Sequence, residues 1–163
     1  MEIYFLLGGF LTVFYFGGNL IFHYYYLHKH NKFLNFLSGK KIFKIQNVIT
    51  NIDISSSKSI FNYQVNMATV IVFDEHIFLL IKSKYFKIAQ PILEISKISS
   101  KEEFPMIWEK IYYVSKQKIG KTIRIKGYSY RNSLKIDYLV NLDFSKTNTN
   151  SDFIEYLNEK SAN

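Results

Sequence analysis

The two arginines of the chain, Arg124 and Arg131, stand seven positions apart, with Lys126 and Lys135 beside them. Everywhere else the sequence uses lysine for its cations. Arginine presents a planar fork that binds phosphate or carboxylate in a bidentate manner, whereas lysine offers only a point charge. Arg124 and Lys126 alternate with Ile123 and Ile125, so they share the polar face of a strand. Arg124, Lys126, Arg131 and Lys135 therefore form the candidate site for an anionic lipid head group or an acidic partner, although a merely solvated strand face would show the same alternation. Other chemistry is harder to assemble. With no cysteine there are no disulfides, thiolate metal sites or thiol nucleophiles. His28 and His30 flank Lys29 with no carboxylate near in sequence, which suits a solvated segment better than a metal site. His76 follows Asp74 and Glu75, where ordinary turn chemistry suffices, and Glu102 and Glu103 need not converge because they are adjacent. Ser55, Ser56 and Ser57 lack the frame of a nucleophile elbow, and no glycine-rich loop offers a phosphate cradle. The expectation is a protein that is not an enzyme and carries no cofactor and no metal.

What must position the basic hairpin begins with an anchor. From Ile3 to Tyr26 there is no ionised side chain. About 24 residues at about 1.5 Å each make a helix of about 36 Å, enough to cross a hydrocarbon core of about 30 Å. A cleavable signal would need basic residues before the apolar run and small ones after it; only Glu2 precedes it, and Tyr24, Tyr25 and Tyr26 close it. Residues 1–27 are thus expected to be an uncleaved single-pass transmembrane helix. All 21 Lys and Arg residues lie after position 28, and Lys29, Lys32, Lys40, Lys41 and Lys44 form a juxtamembrane basic linker over 28–41 and its edge. The positive-inside rule then puts the N-terminus outside and the remainder on the cytoplasmic face of the cell membrane. Tyr4 and the three exit tyrosines fit interfacial belts, and His23 is close enough to the interface to snorkel. Gly8, Thr12, Tyr15, Asn19 and Tyr26 fall on one helix face, a candidate surface for homo-oligomers; glycine is also simply tolerated in membrane helices.

The part beyond the anchor carries 21 basic and 12 acidic residues, a formal +9. Beside a bilayer, the natural counter-surface is its anionic leaflet, with a protein partner next and nucleic acid disfavoured. Residues 42–163 read as one domain of strands. A strand region runs from Ile42 to Ile54 and ends in the serine loop; Tyr63, Val65, Met67, Thr69, Ile71 and Phe73 alternate in the next; Asp74-Glu75-His76 is a turn. Ile77–Lys82 and Tyr85–Ala89 suggest a hairpin about Ser83-Lys84, and Gln90–Ile95 a short extended piece with Pro91 at an edge. Residues 102–116 are open: Ser100 and Glu103 have capping-box spacing, yet Tyr112-Tyr113-Val114 favours a strand. Thr122–Tyr130 and Leu134–Leu142 pair about Asn132, Thr147–Ser151 is a polar loop, and Asp152 and Glu155 open a last helix running to Lys160, with Phe153, Tyr156 and Leu157 on its apolar edge.

The hairpin Val70–Leu80, the connector Gln90–Ile98 and the closing helix together resemble the bacterial pleckstrin-homology-like domains. That resemblance implies an α+β fold: a mostly antiparallel β-roll closed at one end by the C-terminal helix. Behind a membrane helix, such a domain suggests a tethered, non-enzymatic module that binds a protein or an anionic lipid. A small regulatory or immunity-type protein that occludes one partner is the alternative.

Overall fold

The computed structural model describes residues 2–56, 59–100, 102–147 and 151–159. Its elements are α1 (Glu2–Phe36), β1 (Phe43–Ser56), β2 (Ser59–Phe73), β3 (His76–Ser83), β4 (Ala89–Ser96), β5 (Ile107–Ile119), β6 (Thr122–Arg131), β7 (Leu134–Asp143) and α2 (Ser151–Glu159). The seven strands close into a barrel in chain order, β7 returning to β1 through Ile52↔Val140 and its neighbours. Closure leaves no free sheet edge. Neighbouring strands are antiparallel except β4 and β5, which run parallel with Ile95 opposite Ile111. A parallel pair needs a crossover rather than a turn. Residues 97–106 supply it, so residues 102–106 are connector and the strand begins at Ile107.

Alternation puts Val70, Val72, Ile77, Leu79, Ile95 and Val140 into the barrel interior. The tight turns carry the backbone that two-residue hairpins demand: Asp74 sits at φ 50°, Gly120 at 60°, and Asn132 and Ser133 at 50° and 65°. In β6, a Cβ on Gly127 would lie 2.7 Å from the carbonyl oxygen of Tyr112, opposite the irregularity between Tyr113 and Ser115, so only glycine fits the close approach. Pro91 has the same logic. It sits where the β3–β4 register shifts and just before the β4–β5 ladder starts at Ile92, so no ladder donor is missed in what is an interior strand and not an edge.

β3 is buried on both faces from His76 to Ile81. Its outer face needs a cover, and α1 provides it: Phe33 and Leu37 pack on Ile71, Phe78, Leu80 and Ile92 in a second core outside the barrel. The expected linker over 28–41 is therefore corrected. The helix continues to Phe36, and its last turns are held by Phe33 against Phe78 at 4.8 Å and by Phe36 against Phe104 at 6.3 Å.

α2 closes the end of the barrel where β1 begins and β2 finishes. Ile154 and Leu157 enter the interior core, and Phe43 meets Tyr156 at 5.0 Å. The expected loop serine Ser57, the loop residues 148–150 and Lys160 lie outside the described residues. Beneath this cap Lys116 lines a small recess with Val72, Asp74, Glu75, Ile77, Tyr156 and Leu157. Burial, reinforced by the charge of Lys97 and opposed by Glu75, lowers its pKa to about 8 from 10.5. A depressed lysine pKa means the charged form is disfavoured by folding, a penalty fully present below pH 8 and gone above 10.5. Lys116→Met is thus expected to raise stability at pH 7 by on the order of 1–2 kcal/mol, discounted for partial exposure. Thermal melts at pH 7 and at pH 10.5 check this; the gain should fade at the higher pH.

Candidate functional site

The direction in which α1 leaves the barrel organises the rest. Phe33 and Phe36 pack near the start of β3, while His23 lies beside Ala89, at the end of the barrel where β3 finishes. The Ala89 amide donates to His23 Nδ1 at 3.0 Å, and His30 Nε2 donates to the Gln90 carbonyl at 2.7 Å. His23 does not snorkel; it is a docking residue. Burial pushes the His30 pKa below its ordinary 6.5, with Lys82 and His23 acting the same way and the Gln90 hydrogen bond opposing. Docking therefore favours the neutral ring.

N-terminal to His23 the helix projects beyond the barrel. Tyr4 to Phe22 extends about 28 Å at about 1.5 Å per residue. Phe10, Leu11, Val13, Phe14, Phe16, Ile21 and Phe22 are all exposed there, on every side of the axis. A helix apolar all round is normally covered by something. Among the described residues no helix is long and apolar enough to cross a membrane. Thr12 and Asn19 contribute to that, yet both donors are used within the helix, on the carbonyls of Gly8 and Tyr15 at 2.8 Å each. Gly8, Thr12, Tyr15 and Asn19 stay on the projecting segment. Tyr26, expected on the same face, is docked at the barrel instead.

Around the base of the projection, the barrel rim gathers exposed aromatic and cationic side chains. The loop 84–88 is a closed turn: Lys87 N–H donates to Ser83 O, Ser83 N–H to Ile88 O, and Ile88 N–H to Ser83 Oγ. At its tip Tyr85 and Phe86 are 83% and 77% exposed between Lys84 and Lys87. This loop is longer than the expected Ser83-Lys84 turn, and it places two large rings in solvent. Trp108 at the start of β5, Tyr130 and Leu134 at the β6–β7 turn, and Tyr24 and Tyr25 of α1 are exposed at the same end. Parallel pairing puts the starts of β4 and β5 side by side, and Arg131↔Leu134 closes the adjacent hairpin.

Of the expected basic group, Arg131 and Lys135 belong to this rim. Arg131 pairs with Glu109 and stacks its guanidinium over Trp108 at 4.5 Å; Lys135 pairs with Asp137 at 3.1 Å and lies over Tyr128 at 5.0 Å. Arg124 lies farther down β6, donating to Asn141 at 3.1 Å, with exposed Lys126 two positions on. Arg124, Lys126 and Lys135 share the outward face of β6 and β7, Arg131 has the opposite parity at the end of β6, and the four do not converge on a point. The linker lysines disperse as well. Lys29 lies over Tyr25 at 4.5 Å, Lys32 is exposed on α1, and Lys40 lies over Phe36 at 4.1 Å. Lys40, Lys41 and Lys44 follow the distal end of α1, about 21 Å of helix beyond Phe22, and so are not beside the projection.

A buried polar cluster lies on the outer face under residues 97–106. His76 Nδ1 donates to Glu94 Oε1 at 2.9 Å, and the Ser100 hydroxyl donates to His76 Nε2 at 3.1 Å. Hydroxyl, imidazole and carboxylate stand in the order used by acyl-transfer enzymes. Lys110 sits 3.3 Å from the same Glu94 oxygen and donates to the Ser100 and Glu102 carbonyls, Glu102 Oε2 is 3.5 Å from Nε2, and Phe104 closes on the imidazole at 4.7 Å. The group fastens the crossover to β3, β4 and β5. In sequence His76 has the signature of a turn residue and Glu102 that of half of an adjacent acid pair; Glu94 and Lys110 carry no signal beyond lying in apolar stretches.

Inside the rim, a cavity of about 230 Å³ opens among Ile54, Leu93, Tyr138, Tyr26, Trp108 and Asn66. Neither family models, curated proteins nor solved structures contain a match to this chain.

Proposed function

We propose that the protein is a membrane-docked β-barrel module: the projecting half of α1 is embedded in bilayer hydrocarbon, and the aromatic and basic rim rests in the head-group layer. One observation carries the reading, namely that the exposed apolar helix segment and the exposed Tyr85, Phe86, Trp108 and Tyr130 share one end of the barrel with Lys84, Lys87, Arg131 and Lys135. Amphipathic rings favour the interface between water and hydrocarbon, and lysine and arginine favour anionic head groups just outside it. The positive charge after the helix supports a cytoplasmic position for the barrel. From there the module presents its remaining surface to a protein or lipid partner, without catalysis. Seven strands followed by one closing helix support the pleckstrin-homology-like reading, and the parallel β4–β5 pair is where the chain departs from it.

Trp108 is the sole tryptophan, which makes it a built-in depth probe. The full chain is reconstituted in phosphatidylcholine and phosphatidylglycerol vesicles whose acyl chains are brominated near the head group. Docking predicts strong quenching of Trp108 fluorescence, weaker when the bromines sit near the chain ends. Emission equal to that in unbrominated vesicles defeats the reading and favours the alternative, in which a partner protein covers the helix and co-purifies in stoichiometric amount.

A further inference from the structure

The cavity inside the rim has the shape and lining of a ligand site, and the docking proposed above, on which this step rests, puts its mouth beside the bilayer. We infer that it binds the hydrocarbon chain of a medium-chain fatty acid, with the carboxylate left at the rim. Much of its wall comes from four strands and from α1: Ile52 and Ile54 of β1, Ile81 of β3, Leu93 of β4, Tyr138 of β7 and Tyr26 of the helix. Ile52, Ile81, Leu93 and Tyr138 belong to the interior core, so the space opens from the rim into the end of the barrel. At about 230 Å³ it exceeds the cavity of about 150 Å³ that suffices to hold benzene in an engineered apolar core.

The polar groups are few and sit where a head group would enter. Asn66 and Gln90 bring amides to an otherwise apolar lining, the pattern by which pockets orient a ligand. Lys84 and Lys87 stand on the adjoining loop, and Trp108 joins the lining to the rim. Asn66 is opposite Ser83, the residue that closes that loop. A chain entering from the bilayer would thus pass between Tyr26 and Trp108 and leave its anionic end among cations. A branched or two-chain lipid would not fit the volume with both tails.

The test uses the full chain in phosphatidylcholine nanodiscs with octanoic acid bearing a mid-chain diazirine. After irradiation, label is expected on peptides holding Ile52 and Ile54, Leu93 and Tyr138. Leu93→Phe and Ile54→Phe each fill the space and should cut that label at least five-fold; the second position is only half-buried, so it guards against a folding defect in the first. Brominated-lipid quenching of Trp108 in the same samples reports docking separately. Quenched Trp108 with label confined to residues 4–22, or with label unaltered by both variants, overturns the site while docking stands. Unquenched Trp108 with variant-sensitive label in the barrel supports the site and removes the docking; absence of both removes both.

Discussion

Leu11→Lys together with Phe14→Lys is expected to release the protein from vesicles. Both residues lie near the middle of the projecting segment, and their side chains are 59% and 72% exposed. Each lysine at the centre of a membrane helix costs about 2.5–3.5 kcal/mol. Two together weaken insertion by a factor of about 10⁴ to 10⁵. Vesicle flotation of the full chain reads this directly. The barrel should be indifferent, since neither side chain reaches either core, so the melting temperature of the β-structure is expected to stay within error of the unaltered protein. Unchanged flotation would mean that the projection is covered by something other than hydrocarbon. A collapsed melt would mean that the segment packs on the barrel after all.

The second large effect concerns Glu94. Its side chain is 2% exposed and holds His76 and Lys110 on one carboxylate oxygen. Glu94→Gln removes the charge while keeping the shape, leaving the partly exposed Lys110 ammonium without its carboxylate and the His76 N–H on a neutral acceptor. Breaking a buried ionic group from one side costs about 3–5 kcal/mol, which corresponds to a melting temperature lower by roughly 6–20 °C for a chain of this size. Replacing the whole group, Glu94→Leu with His76→Phe and Lys110→Met, should recover most of that loss, because Phe78 and Phe104 already line the site with rings at 6.0 Å and 4.7 Å from the imidazole. Calorimetry of the two variants separates the cost of an orphaned charge from the worth of the pair. Equal losses in both would show that the hydrogen bonds to Ser100 and the crossover, rather than the ions, hold this face together.

The apolar helix, the turns after Phe73 and about Asn132, and the alternating strands were legible because each is a local property. Ile3 to Tyr26 is uncharged whatever surrounds it, Asn132 favours the left-handed backbone of a tight turn, and Ile123 and Ile125 alternate with Arg124 and Lys126 in any half-buried strand. The closing helix was readable from Phe153, Tyr156 and Leu157 for the same reason, though Ile154 is buried beside them. One non-local signal was present and passed over. The unbroken run Ile77-Phe78-Leu79-Leu80-Ile81 cannot belong to a strand with a solvated face, so it demanded a cover on the outside of the sheet.

What supplies that cover is a tertiary matter. Residues 28–36 read as a basic linker because Lys29, Lys32 and the histidines dominate them, yet His30, Phe33 and Leu37 line the buried side of a helix that happens to meet β3 and β4. The parallel pairing of β5 with β4, the gathering of His76, Glu94, Ser100 and Lys110, and the cavity behind Trp108 likewise depend on which strand lies beside which. Composition and periodicity determine what each segment is; they carry no information about its neighbour across the barrel. The rim exists only because closure of seven strands and docking of one helix bring loop 84–88, the start of β5 and the β6–β7 turn to the same end.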